Sequence, residues 1–235
     1  PDELSAPFST NTLEFERAAH LVGGFEWSLT DTIELDVQGY YKSLDNLVSA
    51  VEDPNSDVPY DNVGRGYVYG GEVMLRHNWT DDFFGWIAYS ISRSMRNDGP
   101  GTDWRRFDMD QTHNLIAVAS WQFAKGWRLG GRFQYTSGEP YTKLDGALFN
   151  ADNGTYLPLY SDGHNAATRP AYHRLDVRLD KEWRFDTWIL NTYLDVQNVY
   201  LHKNPVDTVD NYDFSEQVYM TDIPILPSLG VSARF

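Results

Sequence analysis

The chain has 235 residues, a net charge of -15, a pI near 4.6 and no cysteine. That composition excludes a disulfide scaffold and a thiolate metal centre, and without a basic stripe to neutralise phosphates it excludes nucleic acid as a partner. No run of 18 apolar residues exists and mean hydropathy is -0.51, so no segment reads as a membrane-crossing helix; strands that show lipid one face and water the other average to neutral, and only periodicity reveals them.

Pro1-Asp2-Glu3-Leu4 has none of the character of a signal peptide, so the sequence reads as mature or cut from something longer. Period-two alternation then begins. Phe15 to Leu29 sets Leu21, Phe25, Trp27 and Leu29 against His20, Glu26 and Ser28, turns at Thr30-Asp31, and returns as Thr32 to Ser43 with Ile33, Leu35, Val37 and Tyr41 against Glu34, Asp36, Gln38 and Lys42. An acidic loop is expected over Leu44 to Asn62. Gly64 to Trp79 and Phe83 to Met95 form the next pair around Thr80-Asp81-Asp82, followed by a loop over Arg96 to Asp110. Gln111 to Phe123 and Trp127 to Ser137 are joined by Ala124-Lys125-Gly126; in the first of these arms Leu115 to Ala119 is apolar on both faces, which also suits a buried soluble strand. Tyr172 to Tyr200 is the clearest hairpin, with Leu175, Val177, Leu179 and Trp183 opposite Arg174, Asp176, Arg178, Asp180 and Glu182, and with Leu190, Leu194 and Val196 opposite Asn191, Tyr193, Asp195 and Gln197. Leu226 to Phe235 is the ninth strand.

Short turns near residues 30, 80, 125 and 186 alternate with long connections after residues 43, 95, 137 and 200. Seven of the eight tryptophans (Trp27, Trp79, Trp86, Trp121, Trp127, Trp183, Trp188) lie close to a short turn, and only Trp104 lies in a long loop. Indole favours a lipid-water boundary because its ring is apolar while its N–H wants a partner. A soluble sandwich shares the alternation, but the strand length, the one-sided loops and the tryptophan belt predict an all-β, antiparallel transmembrane β-barrel meander of about nine strands.

The last ten residues resemble an outer-membrane assembly signal through Ser228, Gly230 and Phe235, with Ala233 smaller than that pattern prefers. The succession FERAAHLVGGFEW (15–27), DVQGYYKSLDNLV (36–48), GRGYVYGGEVMLR (64–76), FFGWIAYSISRS (83–94), FDMDQTHNL (107–115), HRLDVRLDKEW (173–183) and YLDVQNVY (193–200) resembles the second half of a TonB-dependent outer-membrane receptor. The resemblance implies a 22-stranded barrel of which residues 1–235 are the C-terminal part, strands fourteen to twenty-two, with no plug domain. It further implies a bacterial outer-membrane location, a periplasmic C-terminus, and uptake of a large or scarce ligand. The implied partners are the bilayer and lipopolysaccharide, the remaining strands and plug, and the TonB complex through a missing N-terminal part. The alternative is a passive pore or a structural or adhesive surface barrel.

Acidic loops supply the candidate ligand-binding residues Asp53, Asp57, Asp207, Asp210 and Asp213. Clustered carboxylates suit Ca²⁺ or a cationic ligand, and solvated acidic loops are the plainer reading; no other cofactor is implied, and which metal, if any, stays open. Asn150 to Gly154 matches half a calcium loop without its distal Glu. Arg174, Asp176, Arg178 and Asp180 are expected to face the lumen and to pair across neighbouring strands. Lys181 falls on the lipid face close enough to the turn to snorkel. His164 with Asp162, or His202 with Asp207, are the imaginable acid-base pairs, but no nucleophile elbow or HExxH motif exists and catalysis is not expected.

Overall fold

A computed structural model describes residues 13–51 and 59–235. Within them every regular element is a strand: β1 (Arg17–Ser28), β2 (Ile33–Ala50), β3 (Tyr60–His77), β4 (Phe83–Asn97), β5 (Arg105–Arg106), β6 (His113–Ala124), β7 (Trp127–Thr136), β8 (Pro140–Tyr141), β9 (Leu144–Asn150), β10 (Thr155–Tyr160), β11 (Ala167–Thr168), β12 (Tyr172–Arg184), β13 (Ile189–Gln197), β14 (Pro205–Asp210), β15 (Gln217–Thr221) and β16 (Leu226–Arg234). The nine long strands form one antiparallel sheet in the order β1-β2-β3-β4-β6-β7-β12-β13-β16, so each expected arm pairs with its neighbour in sequence. The sheet is open, and β1 and β16 are its two edges.

Register converts the sequence alternation into two chemically distinct faces. One continuous row reads Trp27, Leu35, Leu75, Ile87, Ala117, Phe133 and Leu175; the row offset by one residue on β2 reads Glu26, Asp36, Met74, Ala88, Ile116, Gln134 and Arg174. Among the described residues nothing packs over the first face. Leu44 is the one buried hydrophobic side chain among the described residues, whereas Phe25, Trp27, Ile87 and Leu229 are all more than half exposed. A single-layer sheet that leaves such a surface bare in water would forgo the main favourable term of folding, so the face needs an apolar surrounding. Bilayer hydrocarbon provides it, and antiparallel pairing leaves no interior strand with unsatisfied backbone groups.

Local chemistry fixes the short turns. Thr30 Oγ1 accepts the Ile33 N–H at 3.0 Å, and Thr80 Oγ1 accepts the Phe83 N–H at 3.2 Å, so two turns close on the same threonine device. In the third, Gly126 adopts φ +73, where other residues are strained.

Three expectations change. Of the loop expected over Leu44 to Asn62, the described residues are mostly sheet, because β2 runs on to Ala50 and β3 begins at Tyr60. Asn46 in the left-handed region (φ 57) shifts the register between Leu44 and Leu47, and that break interrupts the period-two pattern before the strand ends. The other long connections carry their own small pairs, β5 on β4, β8 with β11, β9 with β10 and β14 with β15. Finally, the tryptophan belt is thinner than expected: Trp86 lies in register with Arg76 and Val118 on the polar face, and Trp79 packs edge-on to Phe84 beneath Arg128, both of that same face. Trp27, Trp121, Trp127, Trp183 and Trp188 remain on the apolar side.

Gly230 shows why the C-terminal strand tolerates no side chain there. It sits opposite Tyr193 on the polar face, and a Cβ built on it would overlap the Tyr193 ring, which lies flat across the glycine. The Arg178 guanidinium stacks on the same ring, 3.8 Å from its centroid. Gly230→Leu should therefore expel Tyr193 and unstack Arg178 at a cost of about 1–3 kcal/mol, measured as a lower temperature for the loss of heat-modifiable migration of the folded barrel; an unchanged temperature would show that the ring has room elsewhere.

Candidate functional site

The polar face of β12 carries the four expected charges, and they neutralise one another along the strand rather than across it. Arg174 Nε lies 3.0 Å from Asp176 Oδ1, and Arg178 donates to both oxygens of Asp180 at 2.9 to 3.1 Å. These i,i+2 partners replace the expected cross-strand pairs because residues two apart share a face, while Arg132, opposite Asp176, turns to Gln134 at 2.9 Å. Asp176 also accepts the Asn198 N–H at 3.0 Å. The stripe is thus a locally balanced wall, and its charges are largely engaged.

A denser constellation, which sequence reading passed over as loop, stands at the long-loop end. The Asp110 side chain is 1% exposed and accepts from Arg93 Nη1 at 3.2 Å, Arg106 Nε at 3.1 Å and the Ser94 N–H at 2.7 Å. Arg105 pairs with Asp98 and Asp108, and Asp98 holds its guanidinium above the ordinary pKa against the opposing effect of burial. Asn165, buried and in the left-handed region, donates to the Arg106 carbonyl at 2.9 Å and to Asp108. Arg106 Nη1 reaches Thr168 at 2.8 Å. Two separate long connections are thereby clamped together, around a recess of about 970 Å³ lined by Trp104, Arg105, His164 and the Gly99-Pro100-Gly101 turn. The only hint in the sequence was the density of opposite charges in Arg105-Arg106-Phe107-Asp108-Met109-Asp110.

The acidic candidates are dispersed. Asp207 accepts the Thr208 N–H, Asp210 accepts from Gln217 Nε2 at 3.0 Å, and Asp213 accepts from the Ser215 hydroxyl at 2.7 Å, which holds its carboxyl below the ordinary value. Asp53 and Asp57 lie outside the described residues. Among the described residues no three His, Asp or Glu side chains converge as metal ligands. Asn150 to Gly154 is the turn of the β9–β10 hairpin, where Asn150 and Asn153 side chains accept from Asp152 and Thr155 N–H groups. The histidines also part from the imagined pairs. His164 approaches Asp108 at 3.8 Å, and His202 stacks on His173 at 3.7 Å between ring centroids.

A strand meander with an apolar and a charged face, tight turns at one end and clamped loops at the other has the construction of a large outer-membrane barrel. The family model "TonB dependent receptor-like, beta-barrel" matches residues 2–199. The chain belongs to this family. Solved structures agree on the fold. The ferric-catecholate import receptor Fiu of Escherichia coli matches with TM-score 0.65 at 16% identity over 93% of this chain and 27% of its own. The ferripyoverdine receptor of Pseudomonas aeruginosa matches with TM-score 0.63 at 11% identity over 94% and 28%. The outer membrane transporter YddB of E. coli matches with TM-score 0.59 at 13% identity over 95% and 33%. The chain spans about a quarter to a third of these proteins. No curated protein matches it. TonB-dependent receptors are transporters of the outer membrane and not enzymes.

Asp110→Ala leaves Arg93 and Arg106 without their shared carboxylate. Because Arg93 is about one-third exposed, the expected cost is near the low end for a broken buried pair, about 3 kcal/mol, and it should fall on the loops rather than on the wall. Limited proteolysis should cut within residues 98–112 of the variant at protease levels that spare the wild type, while the barrel's melting temperature changes little; equal resistance would show that the clamp does not order the loops.

Proposed function

We propose that this chain forms part of the wall of a TonB-dependent receptor that takes up a large or scarce ligand across the outer membrane with energy supplied from the inner membrane. The observation that carries the reading is the open, single-layer sheet: its apolar face belongs in lipid, its opposite face is polar, and its two edges require further strands of the same barrel, since hydrocarbon cannot satisfy them. The remaining strands, a plug and, through the plug, the TonB complex are its partners. The tight turns and the C-terminus lie on the periplasmic side, and the clamped loops face outward among lipopolysaccharide. Ligand recognition belongs to that outer end, where the Trp104 recess and the β9–β10 and β14–β15 hairpins stand.

Two measurements test this. The segment contains no cysteine, so single reporters are clean in it: on intact cells a membrane-impermeant maleimide should label Asn153→Cys in the β9–β10 turn and leave Asp31→Cys in the β1–β2 turn untouched until the outer membrane is opened. The reverse pattern would invert the orientation. Ligand uptake by the full-length protein should then collapse in cells lacking the inner-membrane energising complex, and undiminished uptake would favour a passive pore.

A further inference from the structure

On the apolar face, register places large side chains above and below a strip of very small ones. Phe83, Trp121, Leu129 and Leu179 form one row, Gly85, Ala119, Gly131 and Val177 the next, and Ile87, Ala117, Phe133 and Leu175 the third. The result is a trough of two adjoining depressions, about 510 and 580 Å³, which share Phe83, Ala119 and Gly131. Packing against lipid leaves no room for an empty apolar trough of this size, because the lining would lose its contacts outright.

One residue row nearer the turns stands a charge that the wall does not explain. Among the described residues Lys181 is the only Lys, Arg, Asp or Glu at an apolar-face position between the short turns and the level of Arg93. Its ammonium lies 4.8 Å from the centroid of Trp127 and 5.0 Å from that of Trp183, and donates to the Lys125 carbonyl at 3.2 Å. The neighbouring carboxylates belong to the other face and are already engaged, Asp180 by Arg178 and Glu182 by Arg184 at 2.6 Å. Among the described residues Lys181 makes no ion pair, in a chain of net charge -15. Two indoles hold the cation at the boundary where lipid headgroups lie. From Trp127, which is opposite Lys181, to Gly131 is four residues, or about 13 Å along the strand, the separation between a lipid phosphate and the middle of its acyl chain.

We propose that this face binds one diacyl phospholipid of the leaflet at the short-turn end, its phosphate on Lys181 between Trp127 and Trp183 and one acyl chain in the trough floored by Gly131 and Ala119. The inference rests on the reading of this face as lipid-facing, and the periplasmic leaflet follows from the proposed orientation. A free phosphate would satisfy Lys181 but not the trough, and a hydrocarbon without a phosphate would satisfy the trough but not Lys181; both features together select a phospholipid.

Native mass spectrometry of the full-length, detergent-purified protein with added phosphatidylglycerol tests the site without requiring transport, so its failure is distinct from a failed uptake or labelling experiment. Wild type should retain one lipid. Lys181→Gln should reduce retention at least fivefold and Lys181→Arg should restore it. Gly131→Leu should reduce it as far by filling the trough; it is a safe probe, because a Cβ there meets nothing nearer than the Asp176 carbonyl oxygen at 3.9 Å. Val73→Leu, on the same face beyond the trough, should change nothing, and heat-modifiable migration confirms that each variant folds. Equal retention by all variants, equal retention of dioleoylglycerol, binding of inorganic phosphate alone, or displacement of phosphatidylglycerol by lipopolysaccharide would each overturn the proposal.

Discussion

Lateral backbone pairing in a sheet one layer thick is the constraint on which everything else in this molecule rests. The wall has no second layer to bury its hydrophobic residues, so apolar side chains contribute only if the surrounding solvent is itself apolar. That requirement explains the strand lengths of 12 to 18 residues over most of the wall, well beyond the five or six usual in soluble sheets. It also explains why the polar face must look after its own charges. On β12, Arg174 pairs with Asp176 and Arg178 with Asp180 along the strand, whereas between β2 and β3 Glu34 and Arg76 pair across it, so the face balances its charges both within and between strands.

The long-loop end solves a different problem. Long connections lose entropy when ordered, and here a few almost fully buried polar side chains supply the ordering. Asp110 collects two guanidinium groups and a backbone N–H. Asn198, 1% exposed and left-handed, exchanges hydrogen bonds with the backbone of His202 through both side-chain atoms. Asn204, equally buried, accepts the His173 N–H at 2.8 Å and so fixes where β12 begins. The largest fully buried side chains in the described residues are thus Asn and Asp rather than Leu or Phe, which inverts the usual ranking and follows from turning the apolar residues outward.

What the sequence disclosed and what it concealed divide along the same line. Period-two alternation and turn spacing were enough to locate all nine wall strands, because each residue's face is a local property. The extensions of β2 to Ala50 and of β3 from Tyr60 escaped because the Asn46 bulge shifts the phase of the alternation, which a fixed period cannot follow. The knot around Asp110 escaped for another reason: Arg93 is on β4, Asp110 in the connection that follows it, and Asn165 and Thr168 in the connection between β7 and β12, and no spacing rule reports proximity between such distant segments. Two of the family-like segments nonetheless reach the rim, since FDMDQTHNL includes Asp110 and YLDVQNVY includes Asn198. The other family-like segments lie on wall strands, so the resemblance covers wall and rim construction, which is why it identified an architecture and left the ligand open.

The two ends of the apolar face differ in a way that measures the membrane. Near the turns the boundary residues are Trp27, Trp121, Trp127 and Trp183, and at the other end they are Tyr–His pairs, with Tyr89 Oη 2.7 Å from His113 Nδ1 and Tyr200 Oη 2.8 Å from His173 Nδ1. From Trp183 to His173 is ten residues along β12, or about 33 Å of strand, and a tilt of about 40° reduces that to about 25 Å of height. This is the thickness of an outer-membrane apolar band, and between the two belts the outward row carries Leu175, Val177 and Leu179 before reaching Lys181. A soluble sheet would have no reason to place polar-tipped aromatics at both limits of a span of that height with Leu175, Val177 and Leu179 between them. The spacing of the belts is consequently an argument for lipid that is independent of both the loops and the family resemblance.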